Sequence, residues 1–437
     1  MNTARHKKTA SDIFTSALNA VDPYRLVRFH AEKVRAVYQS MTAQRLLVIG
    51  FGKASVAMGK AVEDALIDII DDGMLITKHG HNTGSPLRKL KVIEAGHPIP
   101  DEHGLAGTRE ILGLLHEADA HTLILCLISG GGSALLVHPC NGISLRDKQY
   151  TSDLLLRSGA SISEINTVRK HVSGVKGGRL AELAGPARVM SLILSDVIGD
   201  RLDVIASGPT SPDNTTFSDA LRVLEKYNLL EKAPQTVLRV IGNGIRGLVP
   251  ETPKGGDPLF ERVQNLVIGR NVIALDAARE RAEELGCNAE IISSEMIGEA
   301  RNAGMWLAEM ALMQKKQHMP GRPCCLLSGG ETTVTVKGTG KGGRNMELAL
   351  SFAISIRGTG GITLLSAGTD GTDGPTDAAG AMVDGNTVER AKASGLDPVA
   401  YLDNNDSYNF FRRTDGLFVT GPTGTNVMDI QIIIVDP

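Results

Sequence analysis

The chain has 437 residues, with 46 Lys and Arg against 49 Asp and Glu, so its formal net charge is −3. At about 150 residues per domain this length predicts two or three domains, and 42% hydrophobic residues suffice for each to bury a core. The near balance of charge argues against a nucleic acid or an acidic membrane as a partner. The 5 cysteines are irregularly spaced, which predicts reduced thiols rather than a disulfide framework or a zinc site.

The sequence contains no segment that predicts a membrane span or a secretory signal. No run of about 18 apolar residues occurs, and no apolar stretch follows the basic residues Arg5, Lys7 and Lys8 near the N-terminus. We therefore expect a soluble cytoplasmic protein with no membrane partner.

In chain order, short apolar runs are each followed by glycines and then by a helical pattern. The runs predict strands at residues 45–49, 123–128, 189–194, 267–274, 325–328 and 362–366. After the first run, apolar residues from Met58 to Ile69 recur at the spacing of one helix face. Buried strands that alternate with amphipathic helices are typical of parallel α/β proteins.

The segment 246–262 is rich in proline, glycine and lysine, which is typical of a linker. We therefore predict an N-terminal α/β domain over residues 1–245 and a C-terminal α/β domain over residues 246–437. This prediction leaves open whether the final strand segment of the chain returns to the first domain.

The first predicted strand ends in a glycine turn that contains Lys53. Amides at such a strand-to-helix turn bind anions, and a lysine there can contact a phosphate; the alternative is a solvated surface lysine. The turn is an incomplete dinucleotide fingerprint, because Ser55 stands at the third glycine position. The next predicted strand is followed by Lys78 and His79 rather than by an acid that would hold a ribose hydroxyl.

A second glycine turn and a group of cations also predict anion binding. The turn follows the strand at 123–128 and its uncovered amides would cradle phosphate, unless it is a plain flexible turn; its residues are Gly130, Gly131, Gly132 and Ser133. Cations are concentrated beside a later glycine pair, where a carboxylate or phosphate would bind, unless they form a solvated face; the candidates are Arg169, Lys170 and Lys176.

Acidic residues follow two other strands. Asp196 comes after the strand at 189–194, and Asp370 after the strand at 362–366. Each is a candidate to hold Mg²⁺ or to accept a proton. Between these strands, Gly342 and Gly343 precede Arg344 at the start of a predicted helix, a position suited to binding phosphate oxygens.

These motifs together resemble the glycerate 2-kinases of the MOFRL-domain family, from about residue 12 to the C-terminus. The ordered blocks that carry the resemblance include Ile49-Gly50-Phe51-Gly52-Lys53-Ala54, Gly96-His97-Pro98-Ile99-Pro100-Asp101, Ile165-Asn166-Thr167-Val168-Arg169-Lys170-His171 and Ser207-Gly208-Pro209-Thr210. The resemblance implies phosphorylation of D-glycerate at its 2-hydroxyl by ATP with Mg²⁺ or another divalent cation. It also implies two α/β domains, the first Rossmann-like with a mainly parallel sheet, and an active site in the cleft between them.

Lys53 and Arg344 carry over from the motifs of the family, and we expect them to stabilise transferring or acceptor charge. Asp196 or Asp370 would orient the metal or the acceptor hydroxyl. Two other functions remain open. One is an NAD(P)-dependent hydroxypyruvate reductase, against which the incomplete fingerprint counts. The other is a non-catalytic sensor of phosphorylated small molecules, against which the acids that follow several strands count.

Overall fold

The computed structural model describes residues 3–82, 86–317 and 321–437. The chain divides into two compact units. One contains Pro23–Ile268, and the other contains Met1–Asp22 with Gly269–Pro437. In the described part of the chain no helix is both long enough and apolar enough to cross a bilayer.

The unit formed by Pro23–Ile268 is built on a sheet of six strands in the order β3-β2-β1-β4-β5-β6. The pairs β1–β2, β1–β4, β2–β3 and β4–β5 are all parallel. The strands are β1 Arg45–Phe51, β2 Ile70–Lys78, β3 Leu90–Ala95, β4 Thr122–Ile128, β5 Arg188–Leu194 and β6 Val263–Gly269. The predicted mainly parallel sheet is confirmed, and its strand order is that of doubly wound dinucleotide-binding folds.

The connections of this sheet reverse direction between β1 and β4. From β1 the chain builds outward through β2 to β3, and it then returns to add β4 and β5 on the other side of β1. Helices cover both faces of such a sheet, and the carboxyl ends of the strands at the reversal point leave a crevice between the connecting turns. The crevice beside β1 and β4 is therefore where this fold is expected to bind a ligand.

The other unit is built on a sheet of mainly antiparallel strands, in the order β11-β10-β9-β12-β8-β7. Among the described pairs of this second sheet, only β7 and β8 are parallel. Strand β12 runs antiparallel to both β8 and β9. The strands are β7 Asn288–Met296, β8 Cys324–Gly330, β9 Ile362–Gly368, β10 Gly380–Asp384, β11 Leu417–Phe418 and β12 Asp429–Val435.

The helices pack against these sheets and bury one apolar face each, as α3 does with Met58, Ala61, Val62 and Leu66. In the first unit the described helices are α2 Pro23–Ser40, α3 Ser55–Leu66, α4 Glu102–His116, α5 Gly132–Leu135, α6 Leu145–Arg157, α7 Ile162–His171, α8 Arg179–Leu183, α9 Phe217–Lys226 and α10 Gln235–Ile245. In the second they are α1 Thr3–Ala20, α11 Asn271–Glu284, α12 Ala300–Lys316, α13 Arg344–Ser355, α14 Thr387–Ala393, α15 Pro398–Asp403 and α16 Ser407–Thr414.

The compact units divide the chain at other points than the predicted linker. Residues 246–262 belong to the first unit, because β6 follows them and joins the first sheet. The segment that crosses back to the other unit is the N-terminal helix α1 rather than the final strand, since β12 lies inside the second sheet.

The strand predicted at residues 267–274 is only partly correct. β6 ends at Gly269, and α11 begins at Asn271. The apolar residues Ala274 and Leu275 of this run are buried on the helix, because a short apolar run fits a buried helix as well as a buried strand.

Candidate active site

Two glycine turns meet at the carboxyl edge of the first sheet, where β1 and β4 end. The amide of Lys53, in the first turn, donates to the carbonyl of Gly130 in the second at 2.9 Å. The amide of Ala54 donates to Oγ of Ser129 at 3.0 Å. The two turns predicted separately from the sequence therefore form one bonded structure in the crevice at the reversal point of the sheet.

Both turns contain glycines that allow this close approach. Gly52 has φ of 131° and a Cβ there would collide with the side chain of Ser129. Gly131 has φ of 86° and a Cβ there would lie 3.0 Å from Cδ2 of His97 and 3.5 Å from Cγ of Lys53. Since only glycine tolerates these conformations without strain, the turns are shaped by backbone and leave Lys53 and His97 beside them.

His97 is a residue of this site that the sequence analysis used only as part of a family block. Burial, together with repulsion from Lys53, Lys78 and His81, lowers the pKa of His97 to about 4. The imidazole is therefore neutral at neutral pH, so it lines the turn without adding a charge.

A chain of hydrogen bonds leads from the second turn to α7. Oγ of Ser133 lies 2.8 Å from Oγ of Ser207, and Ser207 donates to Oδ1 of Asn166 at 3.1 Å. Ala206 and Ser207 have φ of 51° and 62°, in the left-handed region that costs about 1–2 kcal/mol for a residue with a Cβ. Strained backbone is concentrated at functional sites, so we include residues 206 and 207 in the candidate site.

Two of the three predicted cations reach this region. Lys176 is 1% exposed, and its ammonium donates to the carbonyl of Ala206 at 3.3 Å. Burial lowers the pKa of Lys176 well below its usual value, with additional repulsion from Lys148 and Arg169. Burial also lowers the pKa of Arg169. Among the described residues we find no ion pair for Lys176 or Arg169, so their charges favour an anionic ligand.

Lys170, the third predicted cation, is already paired. Its ammonium lies 3.2 Å from Oδ1 of Asp213 and 3.6 Å from Oδ2 of Asp203. Asp213 is fully buried and also accepts hydrogen bonds from Thr215 and Thr252. The geometry therefore gives Lys170 a structural role in this loop and does not support its assignment to substrate binding.

Asp196 lies at the same edge of the sheet, two residues after the end of β5 at Leu194. It is half-buried. Its neighbours close a local turn, in which the amide of Val197 donates to Oγ of Ser195 at 3.3 Å. The assignment of Asp196 as a metal ligand or as a base stays a prediction.

In the other unit, Arg344 begins α13 and is held by two carboxylates. Its Nε and Nη2 donate to Oδ2 and Oδ1 of Asp429 at 2.6 and 2.9 Å, and Nη1 lies 2.7 Å from Oε1 of Glu331. Burial opposes the charge of Arg344, but the carboxylates of Asp429 and Glu331 raise its pKa above the usual value. The arginine predicted to bind phosphate is therefore fixed in a bidentate ion pair.

Asp373 occupies the N-terminus of α13. Its carboxylate accepts hydrogen bonds from the amides of Asn345 and Met346 at 3.1 and 2.8 Å. Burial raises the pKa of Asp373 to about 7, and these two hydrogen bonds oppose the rise. A Cβ on Gly343 would collide with this carboxylate. The phosphate site predicted at Gly342 and Gly343 therefore cannot use these two amides, because the carboxyl group of Asp373 already accepts hydrogen bonds from them.

Asp370 lies next to the carboxylate of Asp429. A Cβ on Gly368 would lie 3.4 Å from Oδ1 of Asp370 and 3.5 Å from Oδ1 of Asp429. Burial raises the pKa of Asp429, Arg344 opposes the rise, and Asp370 adds to it. Glu331 adds a third carboxyl group beside Arg344, and carboxylate oxygens are ligands that a divalent cation prefers.

A different group of potential metal ligands lies at the surface of the first unit. Among the described residues, ligand atoms of His79, Asp101 and His103 lie within 4.8 Å of one another. Nε2 of His79 is 3.0 Å from Oδ2 of Asp101. Two imidazoles suit zinc or nickel better than magnesium, so this group does not fit the metal expected beside ATP.

Asp429 and Glu331 are site residues that the sequence analysis did not single out. Asp429 stands opposite Gly330 and Gly368 in the ladder, because β12 runs antiparallel to β8 and β9 and so begins where they end. Glu331 directly follows β8. The glycines that end β8 and β9 indicated this edge of the second sheet. The direction of β12 was needed to place Asp429 at the same edge.

Comparison with known proteins shows the family of the chain. A family model described as a domain of unknown function (DUF4147) matches residues 9–242, and the MOFRL family model matches residues 324–429. The D-glycerate 2-kinase of Thermotoga maritima is 46% identical over 98% of this chain and 98% of its own length. A protein of Agrobacterium vitis named putative hydroxypyruvate reductase is 42% identical over 90% of this chain and 99% of its own.

A solved structure agrees with the fold as well as with the sequence. The crystal structure of glycerate kinase from Thermotoga maritima matches with a TM-score of 0.89 at 46% identity, and the match covers 99% of this chain and 100% of that one. Both units are included in this match. The chain therefore belongs to the glycerate 2-kinase family that carries the MOFRL domain.

Proposed function

We propose that the chain transfers the γ-phosphoryl group of ATP to the 2-hydroxyl of D-glycerate and so produces 2-phosphoglycerate. The observation that carries this proposal is a pair of cations, the half-buried Arg169 and the buried Lys176, beside two glycine turns at the reversal point of a doubly wound sheet. A small carboxylate and a polyphosphate need these two features, and the relatives named glycerate kinase support the same substrates.

The glycine turns would bind the donor. Amides of residues 130–133 suit the oxygens of ATP phosphates, and the ammonium of Lys53 adds a positive charge at the same turn. Phosphoryl transfer requires mainly alignment and neutralisation of charge on the transferring group. Lys53 would therefore stabilise the transition state more than the bound substrate.

The acidic cluster around Arg344 would hold the divalent cation. Carboxylate oxygens of Asp370 and Glu331 are the donor type that Mg²⁺ prefers, and Asp196 remains a second candidate from the other unit. When bound, Mg²⁺ neutralises charge on the donor phosphates. Arg344 would keep Asp429 and Glu331 in position and contribute its own positive charge to the transfer.

Arg169 and Lys176 would bind the carboxylate of the acceptor. Their charges lie beside the chain from Ser133 through Ser207 to Asn166, which starts at the turn proposed for the donor phosphates. In D-glycerate the 2-hydroxyl is attached to the carbon next to the carboxylate, so a carboxylate held here brings the hydroxyl close to that turn.

The test is product identification with the purified protein. ATP, a Mg²⁺ salt and D-glycerate should give ADP and a phosphate ester whose position is read by phosphorus–carbon coupling in NMR. Two-bond coupling to carbon 2 with three-bond coupling to both carbon 1 and carbon 3 is the expected result. An ester on carbon 3, or no ADP formation above the rate without glycerate, would contradict the proposal.

A hydroxypyruvate reductase is the second candidate, because a 42% identical relative carries that name. Strand β2 ends at Lys78. A dinucleotide-binding fold has an acidic residue near this position, which binds the ribose hydroxyls. Hydroxypyruvate mixed with NADH or NADPH and the protein should therefore leave the cofactor unoxidised, and its oxidation would favour the reductase.

A further inference from the structure

The buried face of α6 contains a lysine among apolar and small residues. The residues of α6 that are buried are Leu145, Lys148, Thr151 and Leu155, which recur at the spacing of one helix face. Leu145 belongs to a small apolar cluster with Leu105 and Val137, and Leu155 packs in the core beneath α7. Lys148 therefore lies between two apolar clusters, where a hydrophobic side chain is expected.

The ammonium of Lys148 is buried without a partner in the part of the chain that the structure describes. The residue is 4% exposed, and its Nζ is buried with no hydrogen bond among the described residues. An isolated buried ammonium is unfavourable unless an anion or a set of acceptors compensates for lost water. The structure supplies neither from its own described side chains, so the position is explained by an external anion.

The charges around Lys148 are all of the same sign. Burial, together with repulsion from Arg169 of α7, lowers the pKa of Lys148 to about 8. Lys148 in turn acts on Lys176 and on His138. Cys140 is the remaining titratable neighbour, and burial raises its pKa, so it stays a neutral thiol. Three cationic side chains thus share one buried region without a carboxylate among the groups that act on them.

We propose, building on the function proposed above, that Lys148 is a third acceptor-binding residue, which contacts the carboxylate of D-glycerate together with Arg169 and Lys176. Asn166 and Arg169 are three residues apart and therefore on the same face of α7, and Asn166 is bonded to Ser207. Lys176 is bonded to the carbonyl of Ala206. These bonds connect Lys176, and the face of α7 that carries Arg169, to the segment that also contacts Ser133 of the phosphate-binding turn. Lys148 is linked to both cations by its charge, which acts on Lys176 and is acted on by Arg169.

The binding of a carboxylate by Lys148 predicts opposite effects on stability and on substrate affinity. Lys148→Met removes a buried unpaired charge and keeps a long apolar side chain, so the Tm of the ligand-free protein should stay the same or rise. The KM for D-glycerate should increase at least 10-fold, whereas the KM for ATP should change less than 2-fold. The rise in Tm that D-glycerate alone causes in the unmodified protein should be lost.

Arg146→Met is the matched control, because Arg146 belongs to the same helix and is exposed. It removes one charge from α6 and should leave both KM values unchanged. Lys148→Arg keeps the charge and should retain a KM for D-glycerate within about 5-fold of the original. A lower Tm for Lys148→Met together with an unchanged KM for D-glycerate would overturn the proposal and give Lys148 a structural role. An increased KM for ATP alone would also overturn it.

A second measurement uses the unmodified protein. D-glycerate alone should slow amide hydrogen exchange in α6 and α7, while D-glyceramide, which lacks the charge, should not. Equal exchange with and without D-glycerate would overturn the proposal. If D-glycerate binds and protects these helices but no ADP forms, the assignment of Lys148 stands and the proposed kinase activity fails, so the two are distinguishable.

Discussion

At the scale of single residues, the guanidinium of Arg344 contacts two carboxylates at the same time. Its three nitrogens contact Asp429 and Glu331, and Asp429 is 1% exposed. Removal of the arginine would leave a buried carboxylate unpaired, which is more unfavourable than the pair is favourable. Only a planar group with several donors spans both acids, and the ammonium of a lysine does not.

Arg344→Lys should therefore lower kcat strongly while the charge is conserved. We expect a decrease of at least about 100-fold, of the size seen when a single preorganised charge at a transferring group is displaced. Steady-state kinetics at saturating ATP and D-glycerate measure the effect. A kcat within 3-fold of the original would contradict the role given to Arg344.

Arg390→Lys is the control for this change. Arg390 also forms a bidentate pair, with Asp384 at 3.0 and 3.1 Å, but its side chain is half exposed and belongs to α14. Asp384 is buried, as Asp429 is, and the proposed site does not include this pair. The kcat of the Arg390→Lys variant should stay unchanged. This control separates the effect at Arg344 from the general loss of a bidentate contact.

Asp373 should make stability depend on pH in the direction opposite to an ordinary carboxylate. Its pKa in the folded protein is about 7, above the usual value of about 3.9 in an unfolded chain. Below about pH 4 both states are protonated. Between about pH 4 and 7 the unfolded chain releases the proton that the folded protein keeps, so stability falls as the pH rises, and the loss is complete above pH 7.

Asp373→Asn removes this titration. Wild-type stability minus that of the variant should decrease from pH 4 to pH 8 by up to about 4 kcal/mol, at about 1.4 kcal/mol per pKa unit. Denaturant unfolding at a series of pH values measures the difference, and any loss of the α13 cap appears as a constant offset. Parallel curves for the two proteins would contradict a raised pKa at Asp373.

At the scale of elements, the turns after β1 and β4 were predictable because their signals are local. An apolar run, a glycine cluster and a helical pattern follow one another within about 25 residues, as in the segment from Arg45 to Leu66. The partners of these turns were not predictable. Asn166 and Ser207 belong to blocks that carry the family resemblance, but their hydrogen bonds to each other and to Ser133 join distant parts of the chain. No short sequence pattern marks which face of a helix meets a distant loop.

Gly131→Ala tests whether the second turn binds the donor. The change introduces strain at φ of 86°, which costs about 1–2 kcal/mol, and places a Cβ against His97. We expect an increase of about 10-fold in the KM for ATP, with a smaller change in the KM for D-glycerate, because the displaced amides are those proposed for the phosphates.

Gly142→Ala gives the matched control. Gly142 also has φ of 86°, but a Cβ there would meet nothing within 4 Å. It should show the same backbone strain in its free energy of unfolding and unchanged KM values. If both variants raise the KM for ATP equally, the effect comes from strain and the turn has no direct role.

At the scale of the whole molecule, the composition of residues 246–262 predicted a linker, but these residues are packed within the first unit. Residues 246–262 are rich in proline and glycine, yet Thr252 is 1% exposed and donates to Asp213 at 3.0 Å. The amide of Asp213 donates in turn to the carbonyl of Pro253 at 2.9 Å. Proline and glycine indicate irregular backbone, and irregular backbone is compatible with burial when its polar groups find partners.

The crossing of the N-terminus was also beyond sequence patterns. α1 is amphipathic, which predicts burial but does not say against which sheet. In the structure it packs with α11, β9 and β12, and Nε2 of His6 lies 2.9 Å from Oδ1 of Asp436. The two ends of the chain thus form one unit. The residues of α1 pack into a core whose other elements begin only after Gly269.

This arrangement predicts where a substitution in α1 is felt. Phe14 is 1% exposed and its ring meets Phe418 edge-on, with centroids 5.3 Å apart. Phe14→Ala should destabilise the unit that contains β9 and β12 by about 3–5 kcal/mol, as buried phenylalanine truncations do. Amide exchange followed by mass spectrometry should show faster exchange in β9 and β12 and little change in β1 and β4, because each compact unit has its own core.

Phe29→Ala, in the exposed face of α2, is the control and should change exchange in neither pair of strands. Equal acceleration in β1, β4, β9 and β12 after Phe14→Ala would instead mean that α1 supports the whole chain as one cooperative structure.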